Sequence, residues 1–278
     1  MTTFSPGDFF KTEDEAYLYY QVEGEGTPIV LLHGWSSSSA IYAKNVPELK
    51  KKHKIITFDY RGHGFSSKVL IGHTCNQYAD DLHQLLQFLG IRKFVLAGWS
   101  MGVTIALQYI RNFGEEDLLG VVLLDGSCCP FETASWNRGN LQGYNMNALI
   151  RKLNDRTEKY LKVLEMEDKA KALKNPNYFD GPFAEEIMKT PIWISEAIYN
   201  DYMMQDNTEV LKKLQSPLMV MVPVKNLERG KYEAGFAQNS ELCVFDTDHA
   251  LFYEDPVNFN RYLSAFADKV SRIGATQQ

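Results

Sequence analysis

The sequence predicts an α/β fold: a mostly parallel eight-stranded sheet with helices on both faces and an inserted helical cap. Three observations point there. Short apolar runs rich in β-branched and aromatic residues alternate with amphipathic segments, the signature of βαβ units. The runs PIVLL, KFVLA and GVVLL are continuous rather than alternating, as strands buried on both faces are. About ninety residues separate the run ending near Asp125 from the one beginning near Pro217, too many for a plain crossover.

Taken in order, the runs near Phe9 to Lys11 and from Ala16 to Val22 carry alternating polar residues and read as an antiparallel opening hairpin. Further strands are expected at Pro28 to Leu32, Lys54 to Phe58, Lys93 to Ala97, Gly120 to Leu124, Pro217 to Val222 and Glu241 to Phe245. Helices are expected at Ala40 to Lys51, Asn76 to Leu89, Met101 to Asn112, Lys231 to Ala237 and Pro256 to Ile273. The long connection is amphipathic, and Pro176, Gly181, Pro182 and Pro191 punctuate it into three or four short helices. Residues 1–126 and 207–278 are therefore assigned to the core domain and 127–206 to the cap.

A chain of 278 residues buries a substantial core within one such domain. Its apolar content of 45% and charged content of 23% are those of an ordinary globular enzyme. The net charge of -6, with scattered lysines, argues against nucleic-acid binding. The start MTTFSPGDFF lacks a basic segment followed by an apolar one, and no apolar run approaches membrane-spanning length. The expectation is a cytoplasmic protein, a monomer or homodimer, whose partner is a small-molecule substrate rather than a membrane. Cys75, Cys128, Cys129 and Cys243 fall in no metal-ligand spacing, and adjacent Cys128 and Cys129 are poorly placed to bridge. They are read as reduced thiols in the core or lining a pocket.

Gly98-Trp99-Ser100-Met101-Gly102 lies directly between the strand KFVLA and the helix MGVTIALQYI. So sharp a strand-to-helix turn needs small residues two before and two after its centre, and it exposes Ser100 at a helix start where dipoles favour a developing oxyanion. A serine that merely caps the helix is the bland alternative, but strand and helix flank it as a nucleophile requires. Leu32-His33-Gly34-Trp35 ends an earlier buried strand, so the backbone N–H groups of Trp35 and Met101 are candidates for an oxyanion hole. His33 reads as structural, and the serines after Trp35 as helix caps that can also touch substrate.

Asp59-Tyr60-Arg61-Gly62-His63-Gly64-Phe65-Ser66 forms a tight excursion in which Arg61 reads as a tether. Asp59 and His63 precede Ser100, which opposes the chain order serine, acid, histidine. His249, in Asp246-Thr247-Asp248-His249 after the last strand, has the right position to serve as the base. The acid is the difficulty. Its usual place, after the penultimate strand, holds Asn226, which cannot stabilise an imidazolium as a carboxylate does. Two substitutes exist, Glu228 two residues on and Asp125 at the end of GVVLL. Asp125 is preferred because sites in open sheets gather at carboxyl strand ends and an unpaired charge there is costly; an Asp-Gly turn is its bland reading.

With HGW, DYRGHGFS, GWSMG and DTDHALFYEDPVNF in this order, the chain resembles the α/β-hydrolase superfamily over about residues 16 to 126 and 215 to 270, the cap matching only in being helical. HGW followed by GWSMG resembles the small carboxylesterase and non-haem haloperoxidase-like branch. The resemblance implies an α/β-hydrolase fold and a serine hydrolase acting on esters or related acyl bonds of small to medium, largely apolar substrates. Ser100, Asp125 and His249 would be catalytic, Trp35 and Met101 would form the oxyanion hole, and no metal or organic cofactor would be needed. Cap residues Phe131, Trp136, Tyr144, Tyr178, Phe183, Trp193, Tyr199, Tyr202, Met203 and Met204 would supply an apolar pocket, or simply the core of the cap. An acid after the sixth strand also resembles the cofactor-free dioxygenases that open quinolone rings with a His-Asp pair. A non-catalytic ligand-binding homologue is the third reading.

Overall fold

The computed structural model describes residues 7–131, 145–165 and 183–276. Eight strands form one sheet: β1 Asp8–Lys11, β2 Tyr17–Glu23, β3 Thr27–Leu32, β4 His53–Phe58, β5 Phe94–Trp99, β6 Leu118–Leu124, β7 Leu218–Pro223 and β8 Ser240–Phe245. Their spatial order is β1-β2-β4-β3-β5-β6-β7-β8. β2 pairs antiparallel with β1 and β4, and every other pairing is parallel.

The continuous apolar runs are buried on both faces. Val30, Leu32, Leu96, Val121 and Leu123 enter one core, and Ile29, Leu31, Val95, Val122 and Leu124 enter the other. The chain steps from β3 outward to β4, then returns to the other side of β3 for β5. That reversal opens a crevice at the carboxyl ends of β3 and β5, the place where such sheets bind ligands.

The described helices are α1 Val46–Leu49, α2 Cys75–Phe88, α3 Met101–Phe113, α4 Met146–Glu165, α5 Ala184–Met188, α6 Ile192–Met203, α7 Thr208–Lys213, α8 Leu227–Ala234, α9 Leu251–Glu254 and α10 Pro256–Thr276. Two expectations are corrected. The segment from Ala40 to Lys51 is not one helix: a 3-10 turn over Ser39–Lys44 precedes α1, with Asn45 between them and a proline in the first turn of α1. The helix expected from Lys231 to Ala237 instead begins at Leu227 and ends at Ala234. Gly230 lies inside it, where an added Cβ would stand 2.8 Å from Val222 of β7. Close packing, not a helix boundary, accounts for that glycine. None of the described helices is long and apolar enough to cross a membrane.

The chain leaves the core at Cys128 and returns at Asn207, whose N–H donates to the Cys128 carbonyl at 2.8 Å. Between them, α4, α5 and α6 cover the crevice. Asp201 of α6 accepts from the Cys75 N–H at the start of α2 (2.7 Å), and the Trp35 indole donates to the Ser195 carbonyl (2.7 Å).

Arg61 is fully buried and tethers its loop, donating through Nε to Asp81 (2.7 Å) and through both Nη atoms to Asp14 (2.6 and 2.9 Å). The guanidinium holds the Asp14 carboxyl down at about 2. Removing one partner from a buried ion group leaves the others uncompensated, so Arg61→Met is expected to cost about 3–5 kcal/mol. The midpoint of urea unfolding measures it.

Candidate active site

β5 ends in a turn that only glycines permit. A Cβ on Gly98 would stand 2.2 Å from the Gly102 carbonyl oxygen, and one on Gly102 would stand 2.7 Å from the Leu32 carbonyl oxygen of β3. Between them Ser100 takes φ 55° and ψ -118°, strained for a residue with a side chain. The turn is pinned by the Ser100 N–H donating to the Leu124 carbonyl at 2.9 Å. Met101 opens α3, where backbone N–H groups have no partner within the helix.

The loop after β3 packs against this elbow, with the Gly34 Cα so close to Trp99 that a Cβ would meet the indole at 2.8 Å. His33 supports the loop. Its Nε2 accepts from the Tyr60 N–H (3.2 Å), which leaves Nδ1–H to donate to the Gly34 carbonyl (2.9 Å). Burial pushes His33 down to about 4 and His63 well below the ordinary histidine value, so both stay neutral near pH 7. Asp59 accepts from the Ser39 N–H (2.7 Å) and the Phe65 N–H (2.8 Å), binding two loops together. Ser38 caps the 3-10 turn, accepting from the Ala40 N–H at 3.2 Å, and also donates to Glu186 of the cap, while Ser36 hydrogen-bonds Ser195.

His249 Nδ1 meets Asp125 Oδ2 at 2.6 Å. Asp125 ends β6 with φ 41° and is 1% exposed. Its other oxygen accepts from the Asn226 amide at 2.7 Å and from Arg229. Asn226, at the position where an acid was sought, is thus a donor to the acid found one strand earlier. Glu228 is exposed and pairs with Lys231 at 2.9 Å, on a surface of α8. Burial alone would raise the Asp125 carboxyl. The His249 hydrogen bond, the Arg229 charge and the Asn226 amide outweigh it and hold Asp125 below the ordinary carboxylate value.

Ser100, Asp125 and His249 line one cavity of about 490 Å3, together with Trp35, Trp99, Lys152, Tyr199, Tyr202, Met203, Lys225 and Asn226. Among the described residues Ser100 makes no hydrogen bond to His249; such contacts are often long in unliganded enzymes and tighten with substrate. Trp35 packs against Tyr199 with ring centroids 4.2 Å apart and planes tilted by 38°, and so forms a wall. Of the other cap residues expected here, Tyr202 and Met203 line the cavity, Phe183 packs on Trp99 at 5.9 Å, and Trp193 and Met204 are exposed. Trp136, Tyr144 and Tyr178 lie outside the described residues. No cysteine lines the cavity; Cys128 and Cys129 are buried beside it in sequence only. No group of three His, Cys, Asp or Glu among the described residues is arranged to hold a metal.

Three features escaped the sequence. The Trp99 indole donates to the His249 carbonyl at 2.9 Å, fixing the loop that carries this histidine. Lys152 and Arg156 reach the site from α4, a helix whose docking no pattern specifies. Arg229 and Glu233, four apart on α8, extend the acid inward. A signal for Arg229 existed: a buried aspartate at a strand end demands a cation, and this one stands three residues past Asn226.

A family model described as "alpha/beta hydrolase fold" matches residues 27–220. The chain belongs to the α/β-hydrolase family. It is 24% identical to "AB hydrolase superfamily protein YisY" of Bacillus subtilis (strain 168), over 94% of this chain and 99% of the relative. To "Non-heme chloroperoxidase CPO-A1" of Kitasatospora aureofaciens it is 26% identical, over 93% of this chain and 98% of the relative. An esterase structure from Exiguobacterium antarcticum superposes with a TM-score of 0.82 at 21% identity, covering 94% of this chain and 99% of that one. In this α/β-hydrolase the Gly98–Gly102 turn, the loop after β3 and the loop carrying His249 meet, and the buried carboxylate of Asp125 follows β6.

Glu233 is fully buried and accepts from the Cys128 N–H at 3.0 Å, while its second oxygen stands 3.8 Å from Arg229 Nε, too far for a hydrogen bond. Burial pushes its carboxyl up to about 7. A carboxyl moved up on folding favours the folded state only while protonated, so its contribution fades as pH rises from the ordinary value of about 4.3 toward 7. Glu233→Gln keeps the acceptor for Cys128 without the charge. Thermal melts are expected to match wild type at pH 4 or below and to lie above it at pH 8.

Proposed function

We propose that this protein is a serine hydrolase that cleaves a carboxylic ester, or a related acyl bond, of a small to medium substrate through an acyl-enzyme on Ser100. The observation that carries the reading is the 2.6 Å contact between His249 and buried Asp125 at a cavity that also holds the strained Ser100. His249 Nε2 takes the Ser100 hydroxyl proton as the oxygen attacks the acyl carbon, and the Trp35 and Met101 N–H groups hold the oxyanion that forms. The same nitrogen returns the proton to the leaving alcohol. Water, deprotonated by His249, then releases the acid and restores the serine hydroxyl. Asp125, ionised and aimed by Arg229 and Asn226, keeps the His249 proton on Nδ1 and stabilises the imidazolium. A cavity of about 490 Å3 suits a substrate of this size, and the name "esterase" among the structural relatives agrees with the reaction class.

A second reading uses the dyad alone. The hydrogen bond joins His249 to Asp125 without Ser100, which is the arrangement a base needs to deprotonate a substrate destined for oxygen, as in the cofactor-free dioxygenases. Ser100 separates the two. In the hydrolase, a fluorophosphonate labels Ser100, and Ser100→Ala abolishes p-nitrophenyl acetate and butyrate turnover. Absence of labelling together with aerobic ring cleavage of a hydroxyquinolone would establish the dioxygenase instead, and absence of both a binding protein.

The acid assignment has its own test in steady-state kinetics on the same esters. Asp125→Asn is expected to lower kcat by about a thousand- to ten-thousand-fold, because the amide favours the wrong histidine tautomer. Glu228→Gln is expected to stay within about twofold of wild type, as exposed substitutions do.

A further inference from the structure

We propose that Ser195 of α6 is a positioning residue for the oxyanion hole: reaching down from the cap, it fixes the turn that carries the Trp35 N–H. This rests on the hydrolase reading above and adds a regulation of the same site, since the hole is then complete only while the cap is docked on that turn.

The turn runs from Gly34 to Ser37 and is closed by the Ser37 N–H donating to the Gly34 carbonyl at 3.3 Å. That carbonyl belongs to the same peptide as the Trp35 N–H. The peptide is trans, so the direction of the carbonyl sets the direction of the N–H. His33 Nδ1 holds the carbonyl at 2.9 Å, and the Ser37 N–H is its second donor. The second hold depends on Ser36, third in the turn, which takes φ 53°, a value that favours glycine. A glycine would adopt it without strain, but a glycine has no hydroxyl.

The Ser36 hydroxyl is buried and bonds to Ser195 Oγ. The Trp35 indole donates to the Ser195 carbonyl at 2.7 Å, so one cap residue grips two consecutive residues of the turn. Among the described residues, neither of those two side chains makes another hydrogen bond. Ser195 is itself fully buried and braced: Arg156 of α4 donates through Nε to its Oγ at 3.0 Å and lies over the Trp35 ring at 4.1 Å. Arginine only donates, so the Ser195 oxygen accepts there and its own proton is left for Ser36. A serine inside a helix commonly bonds back to its own helix, whereas this one is directed at the turn.

A brace that merely stiffened the protein would leave the rate of bound substrate unchanged. Ser195→Ala keeps the carbonyl that Trp35 uses and removes the hydroxyl. It is expected to lower kcat on p-nitrophenyl butyrate by about tenfold, part of the hundred- to thousand-fold that loss of a whole oxyanion donor costs. KM is expected to stay within about twofold, because the oxyanion forms only after binding. Binding of 1-butaneboronic acid reads the hole directly. Its boron bonds to the Ser100 oxygen as the hydroxyl proton passes to His249, and the tetrahedral adduct places an oxygen in the hole. Ser195→Ala should bind it about tenfold more weakly than wild type, while planar butyrate should bind both alike.

Ser36→Gly carries the same test from the core side, since it accepts the positive φ and loses only the hydroxyl. Its kcat should fall to the same extent, and the double variant should fall no further, as expected of two groups acting through one contact. Unchanged kcat in both single variants, boronate binding unchanged in both, or a double variant slowed by the product of the two losses overturns the proposal and leaves the hydrolase standing. Wild type that neither turns over the ester nor takes a fluorophosphonate label overturns the hydrolase reading and the proposal with it.

Discussion

Arg229 brings one positive charge to two buried carboxylates, and the division of that charge shapes the site. Asp125 takes the direct contact and stays ionised, while Glu233, 3.8 Å away, is left to hold a proton near neutrality. The ionised partner aims His249, and the other accepts from the Cys128 N–H where the chain departs into the cap. Were both carboxylates ionised, a second charge would stand in the interior with the Cys128 N–H as its hydrogen-bond donor, too little to offset its burial. One guanidinium therefore links the orientation of the proposed base to the root of the cap.

Backbone strain gathers around the same spot. Five described residues other than glycine have positive φ, and three of them, Ser36, Ser100 and Asp125, border the crevice between β3, β5 and β6. Each conformation costs on the order of 1–3 kcal/mol and persists because rigid strands on either side determine it. The sheet reversal at β3 and β5 supplies that rigidity, and the missing side chains of Gly98 and Gly102 supply the space.

The inner parallel strands were legible because full burial leaves continuous apolar runs, the opening hairpin because it leaves an alternating one, and the half-buried edge strand β8 from the short apolar run that ends it. The sharp turn at Ser100, the loop after β3 and the loop of His249 were legible because each is a short stretch of contiguous chain. Asp125 could be inferred only by reasoning about cost, since the usual position held Asn226. The amide of Asn226 then proved to be part of the acid's own support, a role that depends on two strands lying side by side. Arg229 left only the indirect signal of a buried aspartate in need of a cation, and Glu233 and Lys152 could not be read, because what matters about them is which neighbours they face across the sheet or under the cap. Helix ends were the weakest reading: Gly230 resembles a stop in sequence and is a packing contact in space.

The single hydrogen bond between Asn207 and Cys128 closes the cap into a loop whose two ends are held together. The cap, tied further by Asp201 to Cys75 and by Ser195 to Trp35, brings Lys152 and Tyr199 to the cavity, while Ser100, Asp125 and His249 all lie outside it. In the proposed hydrolase the cap's share of the cavity wall and the reacting groups are therefore carried by separate stretches of chain. A lineage can rewrite the first, trading one helical insert for another across the same closed junction, without disturbing the geometry of the second, provided the new insert also braces the turn at Trp35.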